Sequence, residues 1–245
     1  MSRAANTSSV VFSPDALKFL RGLKRNNDRD WFEARRPIFE RELKTPMLAL
    51  IAQINDAMLA FAPDHIRPPH KALFRIYRDI RFSKNKLPYK THMAAWWART
   101  GLEKTSGGGF YFHISPTEVT IAAGVYMPER DQLLAIRRYL VEHHAEMRRL
   151  LANKKLKAVL GEFDGLRLTR APKGFSPEDP AVAASLDLIL CRQWGVAATL
   201  PAEAALEPDF VNQIVTRFQR ATPLVDLLNT PLLKPRHVSA KRPIF

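Results

Sequence analysis

The apolar positions change period several times along the chain, and each change marks a new element. Phe12-Ser13-Pro14-Asp15 reads as a helix start, with Ser13 as N-cap and Pro14 at the first helical position, where its missing N–H costs nothing. The helix runs to about Lys24. Asn26-Asn27 breaks it, and Asn27 is placed to cap a second helix through Asp28, Asp30, Trp31 and Phe32. Pro37 and Pro46 divide the next stretch into short helical pieces. The last of these, Met47 to Leu59, sets Leu50, Ile51, Ile54 and Met58 on one face. After the proline-rich stretch 62–69 the period becomes two: Ala72, Phe74 and Ile76 alternate with Leu73, Arg75 and Tyr77, which predicts a half-exposed strand with Arg75 and Tyr77 on one face. The alternation fades at Arg78, and 83–88 reads as a loop.

The plainest strands are 109–115 and 118–126, joined by Pro116-Thr117 as a hairpin. Phe110, Phe112 and Ile114 take one face of the first strand, Tyr111 and His113 the other. From Glu129 to about Asn153 runs a helical stripe of Leu133, Ile136, Leu140, Met147, Leu150 and Leu151. Residues 165–170 offer a further short strand, 171–180 a loop, 194–199 an edge strand, and 208–228 an amphipathic helix. Strands at mid-chain with helices at both ends predict a single α+β domain with a mainly antiparallel sheet. Its expected span is 12–233, after a disordered lead at 1–11 and before a basic arm at 234–245. In that arm two prolines and four cations without an acid argue for a separable extended segment.

Charge sharpens this outline. The 20 residues from Lys71 to Lys90 hold seven Lys or Arg against the single Asp79, a net of +6 out of +14 for the 245-residue chain. Because apolar and aromatic residues are interleaved with the cations, the segment reads as a folded, anion-binding surface. The lone Cys191 excludes an internal disulfide and reads as a core residue. The lead at 1–11 has no long apolar run, and nothing approaches the roughly 20 apolar residues of a spanning helix. A cytoplasmic chain without a membrane partner is therefore expected.

The candidate ligand-binding residues are Lys71, Arg75, Arg78, Arg81, Lys84, Lys86, Tyr89 and Lys90, with Arg137 and Lys173 as outlying additions. Arginine offers a planar fork to phosphate or carboxylate, and lysine a compact mobile charge. The bland counterpart is a structural network in which Arg78 and Arg81 pair with Asp79, Asp28, Asp30 or Glu33. His113, Tyr111 and Asp79 are the weak catalytic candidates. His113 shares the polar hairpin face with Tyr111, while Asp79 among cations should stay ionised and serve structure better than proton transfer. Arg137 borders an apolar helical stripe and is placed either to enter the domain or to snorkel. Ser106-Gly107-Gly108-Gly109 lacks the Gly-Lys-Ser/Thr of a nucleotide loop and reads as the start of a hairpin, and Pro172-Lys173-Gly174 reads as a turn. The seven histidines show no ligand spacing with a carboxylate, so neither a metal nor a cofactor is expected.

Asn26-Asn-Asp-Arg-Asp-Trp31-Phe32, the run from Phe74 to Thr91, Gly109-Phe-Tyr-Phe-His113 and Pro172-Lys-Gly174 together resemble the DUF2461 family of bacterial and fungal proteins. The resemblance covers about 12–233 and implies a single α+β domain. It implies no activity, substrate or cofactor. Asn85 stands where members often carry Asp, which removes one carboxylate from any acid–base or metal role.

The sequence supports three readings. The first is a pocket for a small phosphorylated or otherwise anionic metabolite, bound or turned over. The second is a nucleic-acid module that stacks bases on Tyr77, Phe82, Tyr89, Trp96 and Trp97. The third is a non-catalytic scaffold on an acidic partner. Convergence of Arg75, Arg78, Lys86 and His113 in one concavity is the signature of the first. Sequence leaves the oligomeric state open.

Overall fold

The structure is a computed structural model that describes residues 12–102, 107–162 and 166–233. The lead and the C-terminal arm expected from sequence lie outside the described residues. Helix α1 (Pro14–Arg25) begins as anticipated, with the Ser13 hydroxyl accepting from the Ala16 N–H. Helix α2 (Arg29–Glu33) is capped by Asp28, whose carboxylate accepts from the Trp31 N–H at 2.8 Å. Asn27 is therefore not the cap. Its side-chain amide instead accepts from the Tyr89 N–H and donates to the Tyr89 carbonyl, both at 3.0 Å, so it substitutes for a neighbouring strand.

Helix α3 (Arg36–Phe39), a π turn at Glu40–Lys44 and helix α4 (Thr45–Met58) succeed one another without a break. Pro46 does not divide them as expected. It falls in the first turn of α4, and the wider turn before it, closed by Thr45 N–H to Glu40 O, accommodates a residue that cannot continue the regular ladder. Leu50, Ile51, Ile54 and Met58 are wholly buried, as their spacing predicted.

The anticipated strand at Lys71–Tyr77 is corrected. Lys71 and Ala72 belong to the short helix α5 (Pro69–Ala72), and only isolated bridges, Leu73 to Ala95 and Tyr77 to Tyr89, mark the extended chain beyond. Segments 74–78 and 88–90 are tied by Arg78 N–H to Pro88 O and Lys90 N–H to Ile76 O, which makes a two-stranded ribbon with the charged loop at its tip. The ribbon is held to the helical quarter by Asn27 and by Tyr89 stacked on Phe32, ring centroids 4.2 Å apart.

Strands β1 (Met93–Ala98), β2 (Gly109–Ile114) and β3 (Glu118–Val125) form an antiparallel meander. Helices α6 (Arg130–Leu151) and α7 (Lys154–Lys157), the two-residue strand β4 (Gly161–Glu162), helix α8 (Pro180–Ile189), strand β5 (Trp194–Pro201) and helix α9 (Phe210–Asn229) complete the order. The sheet order is β1-β2-β3-β5-β4, antiparallel at every pairing. Thus β5 is not an edge strand as expected, although β4 covers only two of its residues. The 165–170 segment contributes no strand among its described residues, only a bridge from Arg167 to Cys191.

One face of the sheet is the core. Phe110, Phe112, Trp97, Ile121 and Val196 point into it, and α9 packs there through Phe210, Ile214 and Phe218. Phe218 meets Phe110 at 5.0 Å and Trp97 at 5.4 Å between centroids. Each such side chain contributes roughly 1.5–3 kcal/mol by leaving water. At the end of α9 the buried Asn229 accepts from the Gly108 N–H at 2.7 Å and donates to its carbonyl at 3.1 Å. The glycines before β2 thus serve close packing: a Cβ on Gly107 would lie 2.4 Å from Leu102.

Candidate functional site

The opposite face of the sheet is covered only in part: Ala94, Trp96 and Ala98 of β1 are buried, whereas Ala122 and Ala197 are half-buried and Thr199 is exposed. Its register lines the outward residues up in three rows. Ala94, His113, Thr120 and Thr199 form the first, Trp96, Tyr111, Ala122 and Ala197 the second, and Ala98, Gly109, Gly124 and Gly195 the third. Opposed side chains in such rows stand about 4.5–5.5 Å apart. Alanine and glycine across β3 and β5 therefore leave a floor of methyl groups and backbone, while Trp96, Tyr111, Phe74 and Tyr126 rise around it. The result is a groove of about 470 Å³, within the roughly 300–1,000 Å³ usual for small-molecule sites.

The polar groups of the groove cluster at one end. The Tyr111 hydroxyl lies 3.1 Å from His113 Nδ1, and His113 Nε2 lies 3.8 Å from Glu118 Oε1. In the tautomer that carries its proton on Nε2, toward the carboxylate, Nδ1 accepts from the Tyr111 hydroxyl; in the other, Nδ1 donates to it. The His92 ring stands 5.1 Å from that of His113. Burial lowers the pKa of His113, and burial followed by the His113 and Lys90 charges takes His92 down to about 4. Burial, with Tyr126 nearby, pushes Tyr111 up to about 12. Both imidazoles and the phenol are consequently neutral near pH 7. Lys90 is the exception. Its ammonium lies 5.1 Å from the Phe74 ring centroid and donates to the Arg75 carbonyl at 3.0 Å, and burial and then Arg75 lower its pKa. No acidic side chain pairs with it among the described residues. One ammonium with donors to spare, in a neutral aromatic groove, is an anchor for a single anion.

A histidine outside the groove adds to the pH response that buried His92 and His113 give the fold. His65 is 1% exposed, donates from Nδ1 to the Trp97 carbonyl at 3.1 Å, and has its pKa lowered by burial from 6.5 to about 4. Between those values the unfolded chain binds more protons than the folded one, so stability is full above pH 6.5 and falls as the pH drops toward 4. For His65 the effect amounts to up to about 3 kcal/mol. Urea midpoints at pH 7 and pH 4.5 should differ clearly in the wild type and less in His65→Asn. An equal loss in both proteins would assign the acid sensitivity elsewhere.

The sequence candidates separate into several places. Tyr111, His113 and Lys90 meet in the groove. Arg75 lines a different cleft with Tyr77, and His113 does not share it, so the expected common face of Arg75, Tyr77, Tyr111 and His113 is not formed. Nor do Arg78 and Lys86 converge with them: both lie on the ribbon, where Lys86 Nζ donates to the Ile80 carbonyl. Arg81 grips Asp79 with two nitrogens at 3.0 and 2.8 Å, and these bonds hold the Asp79 pKa at about 2. Asp79 is thus an ionised structural partner. Lys84 is exposed at the tip, Lys71 is exposed on α5, and Lys173 is exposed beside Gly174, whose φ of +89° confirms the turn. Arg137 is buried and donates to the Cys191 carbonyl at 2.9 Å. Tyr89 is buried as the ribbon's anchor. Of the five aromatics offered for base stacking, Tyr89, Trp96 and Trp97 are buried, whereas Tyr77 and Phe82 reach solvent.

Sequence reasoning passed over His92 and the small residues of the floor, and it offered Trp96 only as a stacking face for bases. The signal was present as Ala94-x-Trp96-x-Ala98, Ala122-x-Gly124 and Gly195-x-Ala197, a period-two set of small residues opposite the apolar ones.

The chain belongs to the DUF2461 family, described as a conserved hypothetical protein, whose sequence profile matches residues 15–227. No curated protein matches it. The family's span takes in all five strands and nearly all of α1 and α9. Two of the segments that carry the resemblance are joined in the fold, because Asn27 clamps Tyr89. Among the described residues no group of three His, Cys, Asp or Glu side chains is placed to hold a metal ion, and no helix is long and apolar enough to cross a membrane.

Proposed function

We propose that the chain binds one small, flat, largely apolar metabolite carrying a single anionic group, in the groove on the partly covered sheet face. The observation that carries this reading is the row structure of that face: alanine and glycine where a packed sheet would present bulk, ringed by aromatic side chains. Lys90 anchors the anion, and the Tyr111–His113 pair offers hydrogen bonds to the ligand body. If the ligand is also turned over, proton transfer falls to His113 and Tyr111, since both line the groove. Localisation in the cytoplasm accords with a metabolite ligand. The nucleic-acid reading is favoured by one observation, Phe82, 95% exposed beside Arg81 at the ribbon tip.

Anilinonaphthalene sulfonate, flat and singly anionic, is a suitable probe. It should bind one site with a rise in fluorescence, and Lys90→Ala should weaken it about tenfold, or ~1.4 kcal/mol. Unaltered affinity in Lys90→Ala would remove Lys90 as the anchor. Binding of oligonucleotides but not of the probe, with roughly 10³-fold loss or more between 50 and 200 mM salt, would favour the ribbon instead.

A further inference from the structure

We infer that the cleft between the α3–α4 helical run and segment 73–77 is a second, separate site, specific for a phosphate group. It measures about 390 Å³. Arg36, Glu40, Lys44 and Leu48 line one wall at steps of four residues. In a regular helix such steps overshoot a turn by about 40° each, and the wider π turn at Glu40–Lys44 takes out part of that drift. The distortion therefore does more than admit Pro46: it keeps two cations directed at one cleft. Single π turns inside α-helices occur frequently at functional sites.

The facing wall supplies Arg75 and Tyr77. Arg36 donates to the Tyr77 hydroxyl at 3.0 Å and to Glu33 at 2.7 Å, and Lys44 pairs with Glu40 at 2.9 Å. Arg75 forms no salt bridge with an acidic side chain among the described residues. The lining thus holds the cations Arg36, Lys44 and Arg75, of which Arg36 is met by Glu33 and Lys44 by Glu40, over an apolar floor that includes Phe32, Phe39 and Met93. A guanidinium cannot shed its proton, and in a concavity with apolar walls its charge is best met by a bidentate oxyanion. A phosphate group would meet the uncompensated charge of Arg75 and the spare N–H donors of Arg36 and Lys44. The organic part of a phosphate monoester would lie over the floor.

This site is independent of the groove, although Phe74 lines both. Calorimetric titration with inorganic phosphate, and in parallel with glycerol phosphate, tests it. We expect one saturable site at about millimolar or tighter. Arg75→Ala and Lys44→Ala should each weaken it at least tenfold, while Lys84→Ala at the ribbon tip should not. Ala122→Trp, which fills the groove, should leave phosphate binding intact, so this site and the groove reading can fail separately. Tighter binding of the ester than of free phosphate would assign the floor to the organic part, and equal binding would restrict the site to the phosphate group. The inference is overturned if neither compound saturates a site, or if Lys84→Ala weakens binding as much as Arg75→Ala does.

Discussion

Gly124→Val is expected to leave little folded protein at room temperature. Gly124 sits inside β3 with φ of +139°, a region that only glycine occupies readily. A Cβ there would lie 2.2 Å from the Trp194 carbonyl oxygen and 2.5 Å from the Gly195 Cα, both backbone atoms of the adjacent strand. No side-chain rotation relieves such a contact, so β3 and β5 would have to separate where they pair. Backbone strain alone costs about 1–3 kcal/mol, and loss of strand pairing adds to it, against a total of roughly 5–15 kcal/mol for a domain. Gly101→Ala is the control. Gly101 also has a positive φ, +84°, but no atom of the described residues lies within 4 Å of its added Cβ, so only about 1–2 kcal/mol should be lost. Urea unfolding followed by circular dichroism reads both. A Gly124→Val midpoint equal to that of the wild type would show that the strands do not approach as described.

Elements with one-sided burial were legible in the sequence. The hairpin of β2 and β3 announced itself because Phe110, Phe112 and Ile114 alternate with half-exposed residues, and α4 and α9 did so by helical stripes. β1 was hidden because all six of its residues are buried, which erases the alternation that marks a strand. The Lys71–Tyr77 strand was an error of the opposite kind. Its alternation is real, but Pro68 and Pro69 start a helical turn at α5, and the chain beyond pairs by single bridges. Asn27 was misassigned because an Asn before a helix is a good cap, and only the tertiary neighbour Tyr89 competes for its amide.

The site was legible in part. Lys90, Tyr111 and His113 were named from charge and alternation, and they do meet. The rest of the charge cluster was read as one surface because sequence proximity conceals the turn of the ribbon, which sends Arg75 to one cleft and Lys90 to another. The floor was missed for a different reason. Alanine and glycine carry no chemistry of their own, and their meaning depends on a cross-strand register that aligns Ala94, Trp96 and Ala98 with residues up to about a hundred positions away.

The groove stands or falls with its floor. Ala122 lies in the middle row between Tyr111 and Ala197, half-buried and pointing away from the core. Tryptophan at this position enters open space and strains no packed interior, so Ala122→Trp should fold with unchanged or slightly raised stability. Its indole would occupy the volume assigned to the ligand. Because the chain carries a net +14, surface cations alone could attract an anionic dye, and this variant keeps every one of them. Titration of wild type and Ala122→Trp with anilinonaphthalene sulfonate is therefore the most direct measurement. The account predicts a saturable, fluorescent complex with the wild type and at least a hundredfold weaker binding to the variant, ~2.7 kcal/mol or more. Equal binding by the two folded proteins would contradict it and place the anion on the surface.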